Sequence, residues 1–234
     1  MTFKKIKTNI DPSKVNPPSK KEIDELLNLM VDQPFRSIGL TNKLNRIWFS
    51  DFDEHGLKNV IRFQLTKGLG AVFVFGKCFK FLPTISNSKR FINHKTDKST
   101  TVHLFDYSSS VIIYKNFLQK KPLQLSVMNH SDLEKGLDIF VKKGIKEIND
   151  WFDNNSSVED CISTTLIQIN AGDKYALHWP DQNYVLSHLL SKTNDLKSRD
   201  YYLNKFLEGR RELLNKDMEA IIRKNLDVLA NNMQ

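Results

Sequence analysis

Cysteine is nearly missing: Cys78 and Cys161 are the only two in 234 residues. Two distant thiols build neither a disulfide framework nor a paired-cysteine metal knuckle, so we expect reduced thiols in a cytoplasmic protein. Long apolar runs are missing too. None approaches the about 20 residues of a membrane-spanning helix, so no membrane contact is expected. The basic start, MTFKKIKTNIDPSK, lacks the apolar stretch of a secretory signal. Carboxylates are scarce in one place. Residues 56–121 contain twelve lysines and arginines against two acidic residues, whereas residues 1–55 contain nine against eight and residues 122–234 fourteen against seventeen. The net charge of +8 therefore sits in the middle of the chain, an asymmetry that favours an anionic partner. The same lysines would also serve solubility or guard strand edges.

What is present is enough for a core: 40% of residues are hydrophobic. Residues 58–81 read as a hairpin. Ile61, Phe63 and Leu65 alternate with Arg62 and Gln64, the period of a half-buried strand. Gly68 and Gly70 supply a turn, and residues 71–75, apolar on both faces, read as a central strand. A shorter strand is expected over 46–52 after a linker at 39–45, and further strands over 101–107, 111–117 and 123–128. Residues 84–100 read as a long basic loop.

Helices flank these strands. Ser19 and Glu22 form a capping box ahead of Ile23, Leu26, Leu27 and Met30, and this helix is expected to stop near Pro34. Further boxes are expected at Ser131/Glu134 and Ser156/Glu159. Leu133, Leu137, Phe140, Ile148, Trp151 and Phe152 make one apolar stripe. Asp181 reads as an N-cap with Trp179 as an apolar plug, and a helical hairpin turns at residues 193–195 with Gly209 as a C-cap. Strands first and helices afterwards predict an α+β fold: an antiparallel five- or six-stranded sheet covered by helices, followed by an all-helical C-terminal tail. The expected organisation is an N-terminal arm (1–18), an α+β domain (19–170) and a helical subdomain (171–234).

The order of parts, with Gly144, Ile145, Ile148, Trp151, Phe152, Ser157 and Glu159 in the segment LEKGLDIFVKKGIKEINDWFDNNSSVEDCI, resembles the bacterial family called domain of unknown function 4304. The resemblance spans residues 20–169. The basic loop at 84–100 and the helical tail depart from the family's pattern. It implies a fold more than a reaction, and some members look like immunity proteins of toxin systems.

No catalytic signature stands out. There is no nucleophile elbow, and no helix follows Gly68-Leu69-Gly70 to offer its N-terminus to phosphate. The octamer at 67–74 resembles an RNA-recognition motif but has Leu69, Ala71 and Val74 where bases would need rings. Asp51, Asp53, Glu54 and His55 read as a solvated turn more readily than as a metal site. We expect no metal, cofactor or catalytic residue. The expected binding set is Lys77, Lys80, Lys89, Arg90, Lys95, Lys98, Lys120 and Lys121, interleaved with Phe79, Phe81, Phe91 and Phe117. It suits an acidic protein partner, in an immunity or defence setting, or alternatively a nucleic acid.

Overall fold

The structure, a computed structural model, describes residues 15–66, 70–86, 90–94, 96–107, 125–171, 178–210, 214 and 216–231. The fold is α+β. An antiparallel sheet runs β1 (Asn42–Leu44), β2 (Ile47–Phe49), β3 (Leu57–Thr66), β4 (Gly70–Phe79) and β7 (Leu104–Tyr107), and β8 (Leu125–Ser126) also pairs with β4. A separate hairpin is made by β5 (Thr84–Ser86) and β6 (Arg90–Ile92). β4 is buried along its whole length, as its two apolar faces predict, and pairs with β3 from Leu57↔Phe79 to Thr66↔Gly70. At its middle sits Gly76, where a Cβ would lie 2.1 Å from the carbonyl oxygen of Leu104. The close pairing of β7 with β4 therefore requires glycine there.

One face of the sheet is covered by α1 (Lys20–Met30), α2 (Asp32–Ser37), α3 (His130–Ile139), a π-helical turn (Phe140–Gly144) and α4 (Ile145–Asp153). Leu27, Phe35, Trp48, Phe73, Leu137 and Phe140 meet in this core, with the Phe73 and Phe140 rings stacked at 3.9 Å. A second core joins Leu57, Phe79 and Leu104 of the sheet to α5 (Val158–Asn170), α6 (Gln182–Lys192), α7 (Leu196–Gly209) and α8 (Lys216–Asn231) through Tyr184, Leu189, Phe206 and Ile222. The helical tail thus shares apolar packing with the sheet. None of the helices among the described residues is long and apolar enough to cross a membrane.

Several local expectations shift. Pro34 does not end the first helical region. It sits in the first turn of α2, where a missing N–H has no helical partner to lose. The linker at 39–45 contains β1, and the loop at 84–100 contains the β5–β6 hairpin. α3 is capped by Asn129, whose side chain accepts from the Asp132 N–H, and not by Ser131. The third box forms one residue later than expected, between Ser157 and Asp160. α7 ends at Gly209, but the capping position is Arg210. Trp179 is 51% exposed and plugs nothing, although Asp181 caps α6 as expected. The strand expected at 111–117 lies outside the described residues.

Candidate functional site

The eight expected binding lysines and arginines do not form one set. Lys80, Arg90 and Lys98 are exposed. Lys89, Lys95, Lys120 and Lys121 lie outside the described residues. Lys77 is corrected outright as a surface group: it is 4% exposed and points beneath the α4–α5 junction. Alternation along β4 puts it on the same face as Phe75 and Phe73, which the helices cover.

The opposite face of the sheet explains what the basic segment does. Phe49, Val60, Cys78 and Val102 form a small apolar cluster there. Residues 96–102 run across this face as a strap, fastened from below by cations. Lys58, 1% exposed, donates from Nζ to the carbonyl oxygens of Asp97 (2.6 Å) and Ser99 (3.3 Å). Its ammonium also lies 4.1 Å from the ring centre of Phe52 and 4.9 Å from that of Phe49. Arg62 donates from Nη2 to Thr100 O at 3.3 Å. Lys98 stands between the two carbonyls that Lys58 holds, and Lys80 approaches the same Phe52 ring at 5.9 Å. Arg90 is displayed apart from these, on β6.

These cations have no ion-pair partner among the described residues, although the carboxylates of Asp97 and Asp51 favour the charged form of Lys58 from farther off. Among the described residues no ion pair uses a lysine or arginine between 56 and 107. The lysine and arginine pairs fall on the first helices, on the β1–β2 hairpin, on α3 to α4 and on the C-terminal helices, as in Lys43–Asp32, Lys146–Asp150 and Arg199–Asp227. Backbone carbonyls accept from Lys58 Nζ and Arg62 Nη2 without cancelling their charge, while Arg62 Nε is buried with no acceptor among the described residues. Burial lowers the affinity of both for their protons.

Two concavities lie away from the strap. A cleft of about 710 Å³ opens between α1 and β1–β2, but its Lys43 and Arg46 are already paired with Asp32 and Asp24. A recess of about 350 Å³ lies where the turn after β2 meets the α4–α5 junction, lined by Asp51, Asp53, Asn59, Lys77, Asp153 and Ser156 among others. Lys77 Nζ donates there to Asn59 Oδ1 at 2.6 Å and to Phe152 O at 3.4 Å, the latter in the last turn of α4. Burial pushes the Lys77 ammonium below its ordinary value, against the attraction of Asp53 and Asp153. Sequence reading missed this recess because alternation alone does not say which covered lysine meets a gap. The turn at 51–55 pointed to half of it: Asp51 and Asp53 do share a site, with Asp153 and Lys77 in place of His55.

A third cluster is buried and polar. His94, His103, His178 and His188 gather at the second core. The Phe79 N–H donates to His103 Nδ1 at 2.9 Å, so the His103 proton resides on Nε2. His188 Nδ1 donates to Tyr184 O at 2.9 Å, leaving its Nε2 as an acceptor. Burial lowers all four, His178 and His188 to about 4. No group of three or more His, Cys, Asp or Glu among the described residues has the geometry to hold a metal ion. Burial also pushes the thiols of Cys78 and Cys161 up to about 12, so both stay protonated at neutral pH, and no bridge joins them. No family model, no curated protein and no solved structure matches this chain.

Proposed function

We propose that this chain is an intracellular, non-enzymatic binding protein whose basic strap and hairpin engage an acidic protein partner. The resemblance to family 4304 suggests an immunity or defence setting. The observation that carries the reading is that, among the described residues, no lysine or arginine of the middle segment is in an ion pair. Lys80, Arg90 and Lys98 are exposed without such a partner, while Lys142 and Arg223 on the helices pair with Asp138 and Glu219. A positive surface of this kind speeds encounter with an acidic face and selects against basic ones.

Nucleic acid is the alternative ligand for the same surface. It needs rings free for stacking. Phe79 is fully buried, and Phe81 and Phe91 pack against the second core, which favours the protein partner. The test is capture of partners from native extract with and without nuclease, using the wild type and a variant carrying Lys80→Glu, Arg90→Glu and Lys98→Glu. The reading expects a complex that survives nuclease and is lost in the variant. A variant that binds like the wild type overturns it, and a nuclease-sensitive complex transfers the surface to nucleic acid.

A further inference from the structure

The recess floored by Lys77 is independent of the basic face, because Lys77 points to the other side of the sheet. Its ammonium has three N–H groups. Among the described residues two of them have acceptors, Asn59 Oδ1 and Phe152 O, so one N–H is left over at the recess floor. A buried ammonium without a carboxylate partner is costly to maintain. Such perturbed groups in concavities concentrate at functional sites.

The rim has the opposite sign. Asp51 Oδ1 accepts from Asn42 Nδ2 at 3.0 Å, Asp53 Oδ1 accepts from the backbone N–H groups of His55 and Leu57 at 3.0 and 2.7 Å, and Asp153 Oδ2 accepts from Asn149 Nδ2 at 2.9 Å. Each carboxylate is therefore held in place through one oxygen, and none of the three is in an ion pair among the described residues. A plain anion entering the recess would pass three carboxylates. A plain cation would reach the Lys77 ammonium. A ligand with an acceptor at one end and an ammonium at the other meets complementary charge at both.

We infer that the recess binds a small zwitterion of the α-amino-acid type, its carboxylate received by Lys77 and its ammonium by Asp53 and Asp153. The volume of about 350 Å³ suits a ligand of that size and not a nucleotide or a long peptide. Asn59 and the last turn of α4 hold the Lys77 ammonium in place, so the site is built on a strand and a helix end.

The test is calorimetric titration of the full chain with glycine, L-alanine, L-serine and L-glutamine, with acetate and methylammonium as the two half-ligands. At least one amino acid is expected to bind about tenfold or more tighter than either half-ligand. Asp153→Asn changes an exposed side chain, leaves the fold intact and should weaken that binding by about tenfold. Lys77→Met should abolish it. The inference is overturned if none of the four amino acids binds the folded wild type, if acetate binds as tightly as they do, or if Asp153→Asn binds unchanged.

Discussion

Acid should destabilise this protein well before its carboxylates are protonated, and the four buried histidines set the size of the effect. His178 and His188 are 4% and 1% exposed, and burial lowers each from 6.5 to about 4. A group whose folded pKa lies below its unfolded value costs nothing while both states are deprotonated. As pH falls through the unfolded pKa, the unfolded chain takes up the proton and the native state does not, so stability drops until the folded pKa is passed. The window therefore runs from pH 6.5 down to about 4. Each of these two histidines contributes about 2 kcal/mol of loss by about pH 5 and about 3 kcal/mol in the acid limit, at about 1.4 kcal/mol per pKa unit. Together they remove about 4 kcal/mol at about pH 5, a large share of an ordinary domain's 5–15 kcal/mol. His94 and His103 shift in the same direction and add to it. The favourable contributions of Glu22, Asp160 and Asp195, whose pKa values are lowered by capping hydrogen bonds, are lost only at lower pH. Urea unfolding at about pH 7 and about pH 5 measures the difference directly, and replacing His178 with Asn should remove about 2 kcal/mol of it. Equal stability at the two pH values, or a pH dependence untouched by the replacement, would refute the reasoning.

Two further substitutions test the fold. Gly76→Ala places a Cβ 2.1 Å from Leu104 O and 2.7 Å from Phe105 Cα, both backbone atoms, so β4 and β7 must separate. A loss of about 3 kcal/mol in chemical denaturation is expected, and a neutral result would mean the strands do not approach so closely at Gly76. Asn129→Ala should cost about 1 kcal/mol while Ser131→Ala stays near zero, because the side chain of Asn129 holds the Asp132 N–H. The reverse order would restore Ser131 as the cap.

Much of the architecture was readable from side-chain period. The doubly apolar stretch at 71–75 is the core of the central strand, and the alternation at 61–65 gives the register of its neighbour. The capping box at Ser19 works as its residue types require, with Glu22 reaching back to the Ser19 N–H. The sites were less legible, for a physical reason. A lysine's place depends on acceptors far away in the chain. Lys58 is buried because carbonyls 39 and 41 residues later fold over it, and Lys77 because Phe152 O lies 75 residues on. Composition counts both as surface charge. The cap of α3 was misplaced for a smaller reason: Asn129 and Ser131 both suit the position, and only the first turn of the helix decides between them.

Where the positive charge sits, more than its total, is the centre of this account. Two variants of equal charge change separate these. One carries Lys80→Glu and Lys98→Glu beside the strap. The other carries Lys142→Glu and Lys146→Glu, whose lysines are already paired with Asp138 and Asp150. Binding of each to a poly-glutamate peptide, read by fluorescence anisotropy, is the measurement. The first variant should lose about tenfold or more in affinity, and the second should stay within about twofold of the wild type. Equal losses in both would mean that net charge alone attracts the anion and that the strap is no binding surface.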